Sequence, residues 1–350
     1  MSDFESIFIV DINLNRGRKE DIYDLASITK VAASALAIMQ LKSIGKFDED
    51  MPFKQYFTEF ENTNKAMLSY KDMLTHRSGL VAWIPFWRDA IDTISLVAKI
   101  SESDKLSNQL VYDIKKVSWL AKIFGKKPKH VLNIKKSFDL NRNLLDDALK
   151  LYGPSWKEFT FSEKRSNLYP FKIHDQLYMY KDRQDLLIQR IADSPVKPDQ
   201  GYVYSDLHYY TYPKMVKNIT GKNFDKYLDE TYQKLGASTL TFNPLEKFGK
   251  ERIVPTEYDS LYRKTLIHGY VHDEGASMLN GVSGHAGLFG NANDLTKLMQ
   301  MYLQKGNYGG HQFIEPKVIE SYTQYQYSNE NNRRGIAFDK KDLNPNIANG

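Results

Sequence analysis

The hydrophobic positions of the chain fall into a few patterned segments separated by polar stretches. Residues 7–10 form a short apolar run that predicts a strand. Residues 27–43 are apolar on every face of a helix, which predicts a buried helix. A second buried helix is predicted at 206–220. The segments 223–236 and 291–306 have the spacing of amphipathic helices, with Asn or Asp caps and a terminal glycine in the last one.

Other segments carry weaker patterns. Residues 69–80 predict a short helix followed by a turn, and residues 84–165 are mostly helical in pattern and rich in lysine. The segment 281–290, GVSGHAGLFG, has glycine at every third position, which is typical of a tight turn or a close approach of backbones. The last stretch, 333–350, predicts one strand that runs into a loop.

Charge and cysteine content exclude several kinds of chemistry. The formal net charge is only +5, which argues against a nucleic-acid-binding protein. The chain has no cysteine, so disulfides, thiolate metal sites and cysteine nucleophiles are ruled out. The longest apolar run, 31–39, is far shorter than the roughly 20 residues that span a bilayer. The first residues lack the basic and apolar regions of a signal peptide, so we expect none in this sequence.

A hydroxyl and an amine stand one helical turn apart at the start of the first buried helix. Ser27 and Lys30 are spaced i and i+3, so both project from one helix face. Burial disfavours a charged lysine, and a neutral amine can take the proton of a serine that attacks a carbonyl. The alternative is a helix cap beside a snorkelling lysine. Ser43 and Lys46 share the spacing, but Gly45 breaks that helix, so we expect no chemistry there.

A second candidate group opens the next buried helix. Tyr204 and Asp206 offer a phenol and a carboxylate with one residue between them. A tyrosine beside a lysine ammonium ionises more readily and can carry a proton. The alternatives are that Tyr204 is one ordinary tyrosine among 23 and that Asp206 is a simple helix N-cap.

No motif points to a metal or an organic cofactor, and we expect neither. His268 and His272 have the spacing of zinc ligands on a helix and are followed by two acids, but Gly269 disfavours that helix. The glycines of 281–290 are not followed by the Lys-Ser/Thr pair of a phosphate loop.

The segment Lys115–Lys136 holds eight lysines and no acid. The simplest interpretation is a solvated lysine face over an apolar stripe. The alternative is a surface that attracts anionic cell-wall polymer or lipid headgroups, with nucleic acid a poorer third.

Four short motifs occur in a fixed order: SITK (27–30), LTHRSGL (74–80), YSDL (204–207) and GHAGLFGNANDL (284–295). Together they resemble the serine hydrolases of the penicillin-binding and class C β-lactamase superfamily. The stretch 271–295 looks most like envelope members that occur alone or fused to a family 3 glycoside hydrolase. The resemblance covers roughly residues 21–85 and 165–340.

The resemblance implies roles for four residues of these motifs. Ser27 is the acylated nucleophile, and its backbone N–H is one half of the oxyanion hole. Lys30 and Tyr204 share the proton transfers, and Asp206 holds Lys30 or the substrate. Many relatives carry Asn where this chain has Asp206, and the aspartate puts a true β-lactamase activity in doubt.

The third motif of the superfamily, Lys or His followed by Thr or Ser and then Gly, is not found. The triplet 77–79 belongs to LTHRSGL, and the triplet 285–287 lacks the hydroxyl. In similar proteins a strand like GIAFD (335–339) precedes Gly-His-Thr-Gly, so we expect this chain to be a C-terminally truncated fragment. The alternative is that His285 replaces the missing motif.

The resemblance implies a single α/β (α+β) domain over residues 1–350, of the β-lactamase/transpeptidase type, in which helices flank an antiparallel sheet. We expect the sheet side at about 1–45 and 250–350, a helical subdomain at about 46–250, and the last strands to be missing. Tyr204 lies farther from Ser27 than in compact members of the family, so residues of about 95–160 are interpreted as a lysine-rich insertion in the helical subdomain.

Two functions remain open. The first is a serine hydrolase or acyl transferase that acts on peptidoglycan-type peptides or esters, as a DD-peptidase, esterase or β-lactamase does. The second is a non-catalytic cell-wall-binding module, or an inactive fragment that lacks the third active-site motif. The resemblance implies a periplasmic or cell-envelope location.

Overall fold

The computed structural model describes residues 18–96, 142–197 and 201–344, without the side chains of 142–144. The strand predicted at 7–10 and the lysine-rich run Lys115–Lys136 lie outside the described residues, as does most of the insertion predicted at 95–160. Those interpretations stay predictions.

Helices supply most of the regular structure. Among the described residues, no helix has the length and apolar character needed to cross a bilayer. A π-helical segment, Lys30–Ala35, leads directly into the first α-helix. The helices include α1 (Leu36–Ser43), α2 (Tyr70–Leu74), α3 (Arg142–Tyr152), α4 (Arg183–Ala192), α5 (Tyr212–Thr220), α6 (Phe224–Lys234), α7 (Glu274–Met278), α8 (Ala292–Leu303) and α9 (Pro316–Thr323). Short 3-10 turns include Phe53–Gln55, Thr58–Phe60, Phe86–Ala90, Leu207–Thr211, Pro244–Glu246, Lys250–Arg252 and Ser328–Glu330.

The strands are short and pair antiparallel. They are β1 (Tyr23–Asp24), β2 (Phe161–Ser162), β3 (Phe171–His174), β4 (Leu177–Met179), β5 (Thr241–Phe242), β6 (Tyr258–Asp259), β7 (Thr265–Leu266), β8 (Leu288–Gly290), β9 (Asn307–Tyr308) and β10 (His311–Gln312). Strand β8 lies between β1 and β5, β4 lies between β2 and β3, and β6–β7 and β9–β10 form two-stranded pairs. The predicted antiparallel sheet with flanking helices is therefore confirmed.

The first buried helix runs from Lys30 to Ser43, close to the prediction of 27–43. Most of its side chains are buried because they are apolar on all faces. In the π-helical segment the backbone carbonyl groups do not bond as they do in an α-helix, and two of them accept hydrogen bonds from tyrosine hydroxyls. The Tyr302 hydroxyl donates to the Val31 carbonyl at 2.9 Å, and the Tyr232 hydroxyl donates to the Ala32 carbonyl at 2.8 Å.

The described residues belong to two compact units. The first consists of segments within Met1–Ile84, Gln184–Thr256 and His268–Gly350, and the second of segments within Pro85–Arg183 and Glu257–Ile267. The second unit contains an aromatic cluster, in which the rings of Trp87 and Tyr262 stack at 5.3 Å. The boundaries expected from the sequence, at about 45 and 250, stay predictions.

The strand predicted at 335–339 is wrong. These residues are irregular: the Gly335 N–H bonds to the Phe338 carbonyl within the segment, and the next two N–H groups bond to helical residues. Ile336 N donates to the Tyr322 carbonyl in α9 at 2.8 Å, and Ala337 N donates to the Leu74 carbonyl in α2 at 3.2 Å. Ala337 has a φ of 66°, which is incompatible with an extended strand.

Candidate active site

The turn that presents Ser27 lies between β1 and the π-helical segment. Ala26, just before the serine, has a φ of 44°, a left-handed conformation that is uncommon for a residue with a Cβ atom. The Asp24 carboxylate accepts the Ala26 N–H at 2.8 Å and supports this turn. Ser27 and Ile28 are exposed, although the helix that follows is buried. The fold therefore holds the Ser27 hydroxyl at the surface on a constrained backbone.

Lys30 is 3% exposed, and its Nζ faces three acceptors. It donates to Ser27 Oγ at 2.8 Å and to the His285 carbonyl at 3.3 Å, and it forms an ion pair with the Asp206 carboxylate at 2.8 Å. A hydroxyl, a carbonyl and a carboxylate therefore surround the amine. The sequence predicts that burial makes this amine neutral, and that interpretation stays a prediction.

Asp206 reaches Lys30 because the segment before it is held against residues 76–82. Val203 N donates to the His76 carbonyl at 2.9 Å, and Asp206 N donates to the Ala82 carbonyl at 2.9 Å. Asp206 precedes a 3-10 turn, but its side chain makes no capping hydrogen bond. The structure thus places this carboxylate as the ion-pair partner of Lys30, and not as the simple N-cap that the sequence also allowed.

The His76 ring is a functional neighbour that the sequence analysis missed. Its Nδ1 accepts the Ser205 N–H at 3.2 Å, and its ring centroid lies 4.4 Å from that of Tyr204. Burial lowers the pKa of His76 to about 2, with Arg334 acting in the same direction. The neutral ring can therefore keep its acceptor lone pair on Ser205. The only sequence signal for His76 is its place in the LTHRSGL motif, which does not indicate which residues its ring contacts.

Tyr204 stands at the same site and is 38% exposed. Lys30 Nζ lies 5.2 Å from the centroid of its ring. The structure therefore brings together Ser27, Lys30, Tyr204 and Asp206, which come from two segments far apart in the chain. Their catalytic roles stay predictions.

His285 contributes to the site through its backbone. Its carbonyl accepts from Lys30, whereas its ring is 2% exposed and both ring nitrogens have partners. Nε2 pairs with the Asp273 carboxylate at 2.8 Å and Nδ1 with Ser283 Oγ at 2.8 Å. Burial alone would raise the pKa of Asp273, but the contact with His285 and the Ala276 N–H lower it overall. This arrangement does not favour the His285 ring as a replacement for the third motif.

The glycine-rich segment is placed by close backbone packing, as its spacing predicts. A Cβ atom on Gly284 would overlap the Tyr209 carbonyl oxygen and lie 2.7 Å from Ser34 Oγ. Ser34 Oγ also donates to the Gly284 carbonyl at 2.7 Å. Only glycine allows this approach, which sets the next residue, His285, with its carbonyl towards Lys30.

The histidines considered as metal ligands have other contacts. His268 Nε2 lies 2.9 Å from the Lys250 carbonyl and 2.7 Å from the Ile253 carbonyl. His272 donates its backbone N–H to Asp24 at 2.7 Å. Within the described part of the chain, the one acidic group with metal-like spacing is Asp48–Asp50. Lys42 lies 3.1 Å from the first two of its carboxylates, which supplies the positive charge they need.

The Beta-lactamase family matches residues 16–114 and 163–339. The "Putative D-alanyl-D-alanine carboxypeptidase" of Escherichia coli K12 is 35% identical over 169 residues, which are 44% of this chain and 39% of that protein. The protein of the same name from Salmonella enteritidis PT4 is 32% identical over 162 residues, 42% and 38% of the two chains. This chain spans about two fifths of the length of the curated relatives it matches.

Two solved structures are similar in fold. The penicillin-binding protein from Bacillus halodurans is 13% identical, with a TM-score of 0.48 and coverage of 90% of this chain and 68% of that chain. The D-amino acid amidase from Ochrobactrum anthropi is 15% identical, with a TM-score of 0.46 and coverage of 88% and 61%.

Proposed function

The chain belongs to the β-lactamase family, whose members are serine hydrolases, and we propose that it hydrolyses peptides ending in D-alanyl-D-alanine through an acyl-enzyme on Ser27. One observation carries this proposal. An exposed serine hydroxyl lies 2.8 Å from the Nζ of a buried lysine, and a carboxylate holds that lysine from the other side. A serine that only capped a helix would need neither neighbour.

The first step is the attack of Ser27 Oγ on the scissile carbonyl. With Lys30 charged, the phenolate form of Tyr204 accepts the serine proton, and the lysine charge offsets the negative charge that remains near the site. The Oγ–C bond forms as the carbonyl π bond opens to an oxyanion. The Ser27 backbone N–H donates to that oxyanion.

The second half of the reaction releases both products. Collapse of the tetrahedral intermediate breaks the C–N bond, and the proton held by Tyr204 passes to the leaving amine. A water molecule then attacks the ester carbonyl of the acyl-enzyme and gives a proton to the same phenolate. That proton returns to Ser27 Oγ when the ester bond breaks, and the carboxylic acid leaves.

The substrate class rests on the relatives that bear the name "Putative D-alanyl-D-alanine carboxypeptidase". On this basis we propose peptidoglycan-derived peptides as substrates and the cell envelope as the location. Asp206 supports a peptidase or esterase over a β-lactamase, since it pairs with Lys30 where Asn is common in the superfamily.

The test is D-alanine release from a peptide ending in D-alanyl-D-alanine, measured beside hydrolysis of a nitrophenyl ester and of a chromogenic cephalosporin. We expect the peptide to be hydrolysed and the Ser27→Ala variant to be inactive. Ser43→Ala is the matched control, because Ser43 has the same spacing to Lys46 but donates to the Met39 carbonyl at 2.8 Å. Hydrolysis of the ester alone would overturn the peptidase assignment, and equal activity of Ser27→Ala would overturn the mechanism.

A further inference from the structure

The Asp24 carboxylate joins two segments that are 248 residues apart. Its Oδ1 accepts the Ala26 N–H at 2.8 Å, and its Oδ2 accepts the His272 N–H at 2.7 Å. Each oxygen is thus bonded to a different strand-to-helix connection. We propose that Asp24 is a positioning residue, which fixes the Ser27 turn relative to the loop that holds Lys30.

The first connection is the strained turn before the nucleophile. Ala26 adopts a φ of 44°, a left-handed conformation that is unfavourable for a residue with a Cβ atom. A hydrogen bond from the Ala26 N–H to a carboxylate stabilises that conformation against the unstrained one. Without it, the backbone N–H and the Oγ of Ser27 lose their fixed direction.

The second connection leads to the lysine. The residue after His272 is Asp273, whose carboxylate binds His285 Nε2 at 2.8 Å and caps α7 through the Ala276 N–H at 2.7 Å. The His285 carbonyl in turn accepts from Lys30 Nζ at 3.3 Å. Asp24 therefore closes a ring of hydrogen bonds that begins and ends at the Ser27 turn, and a shift at either connection moves hydroxyl and amine apart.

The ring has a consequence for kinetics and not only for stability. Asp24 does not touch the reacting atoms, so its loss leaves substrate binding nearly intact and lowers the rate of acylation. Misplacement of a catalytic group by about 1 Å can cost about a hundredfold in rate. Asp24→Asn has the same shape but presents one oxygen and one NH2 group, so it can accept only one of the two N–H groups.

The experiment compares Asp24→Asn, Ala26→Gly, the double variant and Asp21→Asn in the full chain. Asp21 is the matched control, because it accepts the Arg18 N–H at the surface of the same segment and lies outside the ring. We expect Asp24→Asn to lower kcat by about tenfold or more with KM within about threefold. Glycine adopts a positive φ freely. Adding Ala26→Gly to Asp24→Asn should therefore raise kcat about fivefold above that of Asp24→Asn alone.

The measurements of kcat and KM rest on the proposed function, whereas a second measurement, hydrogen exchange, does not. Hydrogen exchange at the Ala26 and His272 amides should be faster by about tenfold or more in Asp24→Asn and unchanged in Asp21→Asn. If the wild-type chain shows no acylation, the proposed function fails and the exchange rates alone decide the role of Asp24. Unchanged exchange at both amides overturns the proposal, as does a loss of kcat that Ala26→Gly does not reduce.

Discussion

Lys30 and Asp206 form an ion pair with 2.8 Å between nitrogen and oxygen, although they come from segments far apart in the chain. Lys30 is almost fully buried, whereas the Asp206 side chain is 23% exposed. The pair therefore fixes the Lys30 Nζ within hydrogen-bond distance, 2.8 Å, of the Ser27 hydroxyl. Removing either partner leaves the other with an uncompensated charge in a poorly solvated position.

The first prediction concerns the Lys30 amine. Lys30→Met keeps the length of the side chain but removes the donor to Ser27 and the partner of Asp206. We expect the rate of Ser27 acylation to fall by about a thousandfold, because proton transfer and charge stabilisation are lost together. Acylation rates measured with a fluorescent penicillin or a fluorophosphonate check this. Lys46→Met, in the second Ser-x-x-Lys copy, should acylate at the wild-type rate, and a similar loss in both variants would contradict the assignment.

The Tyr204 hydroxyl is predicted to carry the proton. Tyr204→Phe removes only that oxygen and leaves the ring beside Lys30 and His76. We expect kcat to fall by about a hundredfold or more while KM changes by less than about threefold. Tyr202→Phe is the control, since that ring also lies near His76, at 6.0 Å between centroids. Wild-type kcat in Tyr204→Phe would assign the proton transfer to another group.

The close packing of Gly284 predicts a stability effect. Gly284→Ala places a methyl group against the Tyr209 carbonyl and Ser34 Oγ, neither of which is the end of a flexible chain. We expect the free energy of unfolding to drop by about 2–3 kcal/mol. Gly45→Ala meets open space at a φ of 68°, so only backbone strain of about 1 kcal/mol is expected there. Urea denaturation of both variants measures the difference, and equal losses would contradict the packing argument.

His76 predicts how stability depends on pH. Burial, together with Arg334, His208 and Lys30, lowers its pKa from 6.5 to about 2, so the folded protein keeps the ring neutral. Below about pH 6.5 only the unfolded chain binds this proton, and the free energy of unfolding falls by about 1.4 kcal/mol per pH unit as the pH drops. The stabilisation is complete above pH 6.5. The measurement is the free energy of unfolding as a function of pH between about pH 6 and 4. His76→Gln should lower the slope of this plot by the equivalent of one proton, and His311→Gln, at an exposed position, should leave it unchanged.

Periodicity predicted the helix that carries Lys30, because its apolar positions alone require burial. The same reasoning could not reveal that the amine would have a carboxylate partner, since Asp206 reaches it through hydrogen bonds to residues 76–82. The strand predicted at 335–339 failed for a related reason. Alternating apolar residues also suit an irregular segment when helix carbonyls, such as that of Tyr322, accept its N–H groups. Spacing along the chain carries no information on which distant group satisfies a polar atom.

Asp24 shows the same limit on the functional side. In the sequence Asp24 belongs to no motif that separates it from surface carboxylates. Its two backbone partners, Ala26 and His272, become evident only when both connections are placed in three dimensions. The order of the motifs predicts the reacting groups, whereas the contacts that would position them are evident only in the structure.

The central claim is that Ser27 becomes covalently acylated. Incubation of the chain with a penicillin, followed by proteolysis and mass spectrometry of the peptides, tests it most directly. We expect one adduct of the mass of the intact penicillin, on the hydroxyl of Ser27, and none in Ser27→Ala. An adduct on another serine, or no adduct on a folded chain, would contradict it.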